Sequence, residues 1–242
     1  MFRGACNGEG ARPGNGSVRG LPGSAGGVPE ADTTMTGILQ GNLRRCEAAQ
    51  LLISQTAKER NVDILILSEQ LWDLREQDGW FSNTLGTSAI WVKGKPARRI
   101  QASGRGEDYA WVRVDSVTYV SVYLTPNCTM AVYEEKVGKL EDALTGLPGD
   151  FVVAGDMNAR AVEWGMTTTD KRGRLLLEMA ARLDLVVVNQ GTTTTYRRPG
   201  FGYSIPDVTM TSDRISSRIR GWRVTEDYTA SDHQHIVFER AV

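Results

Sequence analysis

Apolar and polar positions in this chain alternate between two periods. Val62-Asp-Ile-Leu-Ile-Leu67 and Phe151-Val-Val-Ala154 are short, nearly unbroken apolar runs, as expected of strands covered on both faces. Gly37-Ile-Leu-Gln40-Gly-Asn42 predicts a short first strand, and 88–93, 109–115 and 117–124 predict three more, with Asp115-Ser116 as a tight connection. Helical spacing over 43–60 puts Cys46, Ala49, Leu52, Ile53 and Ala57 on one face. Val132 to Leu144 predicts a second helix, closed by Gly146 and Pro148, and Lys171 to Leu183 a third. Residues 71–86, rich in Trp, Asp and Gly, read as loop, and Leu185-Val-Val-Val-Asn189 as a strand. Two Thr/Tyr-rich runs, 192–196 and 203–211, flank Arg197-Arg198-Pro199-Gly200-Phe201-Gly202 and predict a β-hairpin with the two arginines at its tip. Strands at 218–225 and 234–240 finish the chain.

Strands far outnumber helices. That balance predicts an α/β fold of two packed mixed sheets with helices outside; a doubly wound parallel sheet would need more helices. Residues 1–35 are Gly-rich with almost no large apolar side chain, so they are expected to form a flexible arm before a domain at 36–242.

Composition changes this picture little. The 242 residues are 40% hydrophobic and 24% charged, enough for one sizeable core. A net charge of −1 argues against a globally basic polyanion binder but leaves room for a local basic face. Cys6, Cys46 and Cys128 are scattered, so no zinc site is expected and free thiols in a reducing compartment are. No apolar run reaches the roughly 20 residues of a membrane span, and the N-terminus lacks a signal-peptide core, so no membrane partner is expected.

Chemistry-bearing side chains cluster just beyond predicted strand ends: Asn42, Glu69, Tyr123, Asp156 with Asn158, Asp207, and Asp232 with His233. Strand ends on one side of an α/β sheet are where sites form. In Gly155-Asp156-Met-Asn158, a carboxylate and a carboxamide two positions apart on extended backbone would face one ligand together. Each position also has a plain structural reading. Asn42 could cap the following helix, Asp156-x-Asn158 could be an Asx-turn, and Ser231-Asp232-His233 could be a surface turn.

Gln40-x-Asn42, Ser68-Glu69, Ser121-x-Tyr123-x-x-Pro126, Gly155-Asp156-x-Asn158-Ala, Ser204-x-x-Asp207 and Ser231-Asp232-His233 occur in an order and spacing that resembles the endonuclease/exonuclease/phosphatase superfamily, which includes the apurinic endonucleases and DNase I. The resemblance covers about 36–240. Within it the chain looks most like the endonuclease domain of a non-LTR retrotransposon, on Asn42-Leu-Arg-Arg, on the segment from Gly155 to Gly165 and on the Arg197-Arg198 hairpin. The insect ribosomal-DNA-targeted elements are the first expectation, telomeric-repeat elements the second.

The resemblance implies a DNase I-like, four-layered α/β sandwich and a phosphodiester hydrolase that nicks duplex DNA. It implies Mg²⁺, with Mn²⁺ as a substitute, held by Glu69 with help from Asn42, and Asp232 would ligate a metal or orient a neighbour. Asp207 would pair with His233, and Asp156 or His233 would act as base. Asn158 would orient Asp156, and Tyr123 would serve as phenol or phenolate. Partners would be a duplex target, ribosomal DNA first, and a reverse transcriptase domain of the same polyprotein, acting in the nucleus. Specificity is expected from the hairpin, through Thr195, Tyr196, Arg197, Arg198, Phe201 and Ser204, since Arg and aromatic side chains can enter a minor groove. Lys93, Lys95, Arg98, Arg99 and Arg105, and more weakly Lys171, Arg172 and Arg174, are candidate phosphate contacts. Alternatives are a phosphatase or apurinic-type repair nuclease on the same fold, or a DNA-binding module that has lost catalysis.

Overall fold

The computed structural model describes residues 34–74 and 78–242. The expected arm at 1–35 lies, except for its last two residues, outside the described residues. Chain order begins with β1 (Met35–Asn42), α1 (Glu47–Glu59), β2 (Ile64–Ser68), β3 (Trp80–Ser82), β4 (Ser88–Val92) and the short α2 (Gly94–Ala97). Then follow β5 (Ile100–Arg105), β6 (Tyr109–Val114), β7 (Val117–Tyr123), α3 (Met130–Thr145), β8 (Asp150–Asp156) and α4 (Lys171–Arg182). The chain closes with β9 (Leu185–Val187), β10 (Tyr196–Arg198), β11 (Gly202–Ser204), β12 (Asp207–Ser212), α5 (Asp213–Ser216), β13 (Ile219–Val224) and β14 (Ile236–Ala241).

Two six-stranded sheets run β13-β14-β1-β2-β4-β3 and β5-β6-β7-β8-β12-β9. Each holds a single parallel pair, β1 with β2 and β7 with β8. Those two pairs need crossovers, which α1 and α3 supply. The apolar runs explain the layering. Along β2, Ile64 and Ile66 face the core between the sheets, while Leu65 and Leu67 join the cluster that includes Ala49, Ile53 and Ala57 of α1. Along β8, Val152 and Ala154 face inward, while Phe151 and Val153 pack with Tyr133, Val137 and Leu140 of α3 and Leu176 and Met179 of α4. Three apolar layers thus separate helix, sheet, sheet and helix, the expected four-layered sandwich.

Differences from the sequence reading are local. β3 and β5 fall in stretches read as loop. β3 alternates buried and half-buried positions over only three residues, too few to read as a period, and β5 (Ile-Gln-Ala-Ser-Gly-Arg) is an edge strand that is largely exposed. The expected 203–211 strand is two strands, interrupted at Ile205-Pro206, because proline has no N–H for the ladder. The hairpin is therefore β10–β11, with Arg197 opposite Tyr203 and Arg198 opposite Gly202. Both arginines lie in a strand, and Pro199 to Phe201 form the tip. Helix α1 starts at Glu47, five positions beyond Asn42, with Cys46 at its N-cap position, so Asn42 does not cap it.

Candidate active site

Strand register assembles the site. Parallel pairing sets Tyr123 opposite Asp156 at the ends of β7 and β8, and antiparallel pairing sets Asp207, the first residue of β12, opposite Asp156 on the other side. In the facing sheet Asn42 pairs with Ser68 where β1 and β2 end, so Glu69 follows directly. β14 returns antiparallel along β1 with Gln40 opposite Ile236, bringing His233 to the same end. Side chains just before these positions sew the sheets together. Gln40 donates to the carbonyls of Gly155 and Val208 (both 3.3 Å), Ser121 to Leu67 (2.8 Å) and Ser68 to Val122 (3.2 Å).

The result is a cavity of about 410 Å³ whose lining includes Glu69, Tyr123, Asp156, Asn158, Asp232 and His233. Asn42 is fully buried beside it and bridges two acids. Its Nδ2 donates to Glu69 Oε2 (3.0 Å) and Asp156 Oδ2 (2.8 Å), while its Oδ1 accepts the Arg44 N–H (2.7 Å). Asp207 Oδ2 meets His233 Nδ1 at 2.8 Å and accepts from the Thr195 hydroxyl at 2.6 Å. Asn158 has a left-handed backbone (φ 45°); its N–H closes an Asx-turn on Asp156 Oδ1 (3.1 Å), and its carboxamide donates to the Leu124 carbonyl (3.0 Å). The turn reading and the shared-cavity reading of Asp156-x-Asn158 therefore both hold.

Burial, then the nearby Asp207, pushes the Asp156 carboxyl up to about 7; His233 and hydrogen bonds from Asn158 and Asn42 oppose this. For His233, burial works against the charged form, but the hydrogen-bonded Asp207 carboxylate, with Asp156 and Glu69 behind it, outweighs it and raises the imidazole to about 9. Burial and the Glu69 charge raise the Tyr123 hydroxyl well above its ordinary value, so Tyr123 is a phenol and not the phenolate considered from the sequence. Asp156, Asp207 and His233 offer ligand atoms all within 4.8 Å of one another, a spacing a divalent cation could span. Glu69 and Asp156, joined through Asn42, form an oxygen-only set that suits a hard cation.

Several expected contacts lie elsewhere. Thr195 is fully buried and hydrogen-bonded to Asp207, so it cannot touch DNA directly. Arg197 is held bidentate by Glu226 (2.7 and 2.8 Å) and by Thr194. Asp232, expected as a metal ligand, has Arg44 at 3.0 Å and Arg198 at 3.7 Å from the same oxygen, a setting that repels a cation. Asn42 turns its Nδ2 to both carboxylates and so organises them, while its Oδ1, which accepts the Arg44 N–H, keeps a second lone pair that could serve a cation. Tyr196 and Ser204 do line the cavity, the Tyr196 ring 5.1 Å from that of His233, and Phe201 is exposed at the hairpin tip. Of the basic loop, Lys93, Lys95, Arg98 and Arg99 follow the far end of β4, away from the cleft, and Arg99 pairs with Asp115 (2.8 Å). Arg105 alone reaches the cleft end, opposite Ala110. Arg172 is spent inside the protein, on the carbonyls of Asn158 (3.3 Å), Pro126 (3.0 Å) and Cys128 (2.8 Å). Arg44 was missed as a site residue; its signal was the Arg-Arg after Asn42. A larger hollow of about 770 Å³ around Asp184 and Arg214 lies at the opposite strand ends, and its charged residues are all exposed.

Two mixed sheets with carboxylates, a carboxamide and an Asp–His pair converging at one set of strand ends define a phosphodiester-hydrolase architecture. Residues 117–237 match the family model described as endonuclease-reverse transcriptase, and the chain belongs to that family: it is an endonuclease. Among solved structures it is similar to the endonuclease domain of TRAS1, a telomere-specific non-LTR retrotransposon, at 26% identity and TM-score 0.72, covering 86% of this chain and 99% of that one. An AP endonuclease from Archaeoglobus fulgidus (15%, TM-score 0.67, 86% and 100% covered) and the 3′ phosphatase NExo from Neisseria (15%, 0.66, 86% and 100%) share the fold. No curated protein sequence matches.

Proposed function

We propose that this domain is a Mg²⁺-dependent, target-selective endonuclease that nicks one strand of chromosomal DNA in the nucleus. The nick leaves a 3′-hydroxyl from which a reverse transcriptase domain of the same polyprotein primes synthesis. The observation that carries this is the Asp207–His233 pair, at 2.8 Å, beside the raised Asp156 carboxyl in one cavity.

Hydrolysis needs an activated water, countercharge on the phosphate oxygens and help for the departing 3′ oxygen. Asp156, near 7, sits where a general base can hold and release a proton at neutral pH. His233 near 9 stays an imidazolium at that pH. Its Nδ1–H is committed to Asp207, which leaves Nε2–H to donate to a phosphate oxygen. This favours Asp156 over His233 as base. Tyr123, as phenol, donates to the phosphate as well. Glu69, across Asn42 from Asp156, would hold the cation, which when bound supplies Lewis-acid stabilisation to the phosphate and leaving oxygen. Ribosomal DNA is the first target to test, and likeness to a telomere-specific element's domain puts telomeric repeats beside it.

Supercoiled plasmid with Mg²⁺ should pass to open circle with the wild type and not with Asp156→Ala. Absence of wild-type conversion at every salt tried would sink this reading. Nick ends mapped on ribosomal and telomeric sequence then test target choice, and random positions would contradict intrinsic selectivity.

A further inference from the structure

Asp232 sits between two arginines that arrive from different parts of the fold. Its Oδ2 is 3.0 Å from Arg44 Nη1, in the turn after β1, and 3.7 Å from Arg198 Nε, on β10. All three line the cavity that holds Asp156 and His233. The carboxylate is the most sheltered of the three, with 19% of its side chain exposed against 47% for Arg44 and 37% for Arg198.

The backbone around this group is constrained from every side. Arg44 and Arg45 are both left-handed (φ 48° and 51°), a costly conformation for residues with a Cβ. The turn is held there by Asn42 Oδ1, which accepts the Arg44 N–H, and by the Glu69 carbonyl, which accepts the Arg45 N–H at 2.6 Å. The Asp232 loop is tied to β1 by the Ser231 hydroxyl on the Asn42 carbonyl (2.8 Å), and to the hairpin by the Arg197 N–H on the Asp232 carbonyl (2.8 Å). Arg198 in turn lies over the Phe201 ring at 4.0 Å.

One carboxylate between two guanidinium groups leaves a net positive charge at the cavity mouth. A single carboxylate also leaves most of their ten N–H donors free, at five per guanidinium. Planar guanidinium donors match phosphate oxygens. We propose that Arg44 and Arg198 clamp the phosphates flanking the scissile one, and that Asp232 is a positioning residue that holds both guanidinium groups across the cleft before DNA arrives. This rests on the nuclease reading and assigns Asp232 a role other than metal binding. Holding the side chains in place beforehand removes ordering cost from the binding step.

The test measures affinity for a short labelled duplex in EDTA, where no cleavage occurs, at increasing salt. Arg44→Gln and Arg198→Gln should each lower the slope of log affinity against log salt by about 0.9, and the double variant by about twice that. Arg44→Lys and Arg198→Lys should restore it, and melting curves show whether each variant is folded. Asp232→Asn should raise KM for plasmid nicking more than it lowers kcat and should leave the half-saturating Mg²⁺ concentration where it was. Full slopes in both glutamine variants overturn the clamp. A roughly tenfold or greater rise in the Mg²⁺ requirement of Asp232→Asn, as expected for a lost ligand or ligand support, overturns the positioning role. A wild type that binds with these slopes but never nicks would condemn the hydrolase reading alone. Nicking with unchanged slopes would condemn the clamp alone.

Discussion

Gly155 immediately precedes Asp156, and no side chain fits there. Its φ of 149° is accompanied by a Cβ position only 1.9 Å from the Val122 carbonyl oxygen of β7. Gly155→Ala must push β7 and β8 apart where they hold Tyr123 and Asp156. We expect a loss of stability on the order of 3 kcal/mol, read by thermal or denaturant unfolding. Thr195 makes a different prediction. Its hydroxyl donates to Asp207 Oδ2, the same oxygen that meets His233. Thr195→Val should lower kcat by about tenfold, equivalent to roughly 1.4 kcal/mol, with little change in KM or in the salt dependence of DNA binding, and Thr195→Ser should restore it. A rise in KM with kcat unchanged would mean the residue touches DNA after all.

At the scale of elements, α4 supports the site through Arg172. Its guanidinium reaches carbonyls in the loops after β7 and β8 and lies over Tyr133 at 4.5 Å. The Tyr133 hydroxyl donates to the Met157 carbonyl (2.7 Å). Helix α4, helix α3 and both loops are thereby joined. Arg172→Ala should cost about 1.5–3 kcal/mol of stability, as for hydrogen bonds to a charged group, without changing the salt slope of DNA binding. A lowered slope with unchanged stability would return Arg172 to the phosphate contacts suggested by its charge. The hairpin shows the same limit of local reading. Arg197 and Arg198 are adjacent in sequence, yet they point to different partners, Glu226 and Asp232, because β10 alternates its faces.

For the whole molecule, pH acts on the reaction through Asp156 and His233, and on stability through His235 and Asp156. Nicking should rise as Asp156 loses its proton near pH 7 and fall as His233 loses its own near pH 9, giving a bell-shaped profile of rate against pH. A rate that climbs steadily through pH 9 would remove the imidazolium from the mechanism. His235 acts on stability instead. It is buried with neither ring nitrogen bonded, and burial lowers it to about 4 from an ordinary 6.5. The unfolded chain takes up that proton first, so His235 by itself lowers stability as pH drops from 6.5 towards 4, by about 1.4 kcal/mol per pH unit, while the raised Asp156 carboxyl, protonated first in the folded state, contributes in the opposite sense from about pH 7 to 4. Relative to the wild type, His235→Gln should gain stability as pH falls through 6.5 to 4, read by urea titrations at successive pH values; a constant difference between the two would remove His235 from the pH dependence.

Residue pattern alone determined the mixed-sheet class with outer helices, the doubly covered strands and the positions where chemistry would gather. Those features are local: a buried strand must be apolar on both faces, and a side chain at its tip must be polar to be useful. Asp156 and Glu69 were legible for that reason, each standing where an apolar run stops, and His233 stands just before the last strand. What tertiary structure decided is which polar neighbours neutralise or support which others. Asn42 resembled a helix cap or a metal ligand until its neighbour β2 brought Glu69, and the second sheet Asp156, to its amide. Thr195 resembled a DNA contact until β12 set Asp207 over it. Asp232 and Arg44 lie 188 positions apart and meet only because β14 pairs with β1. Charge and hydrogen-bond complementarity depend on distance through space, and sheet register, not sequence spacing, sets that distance.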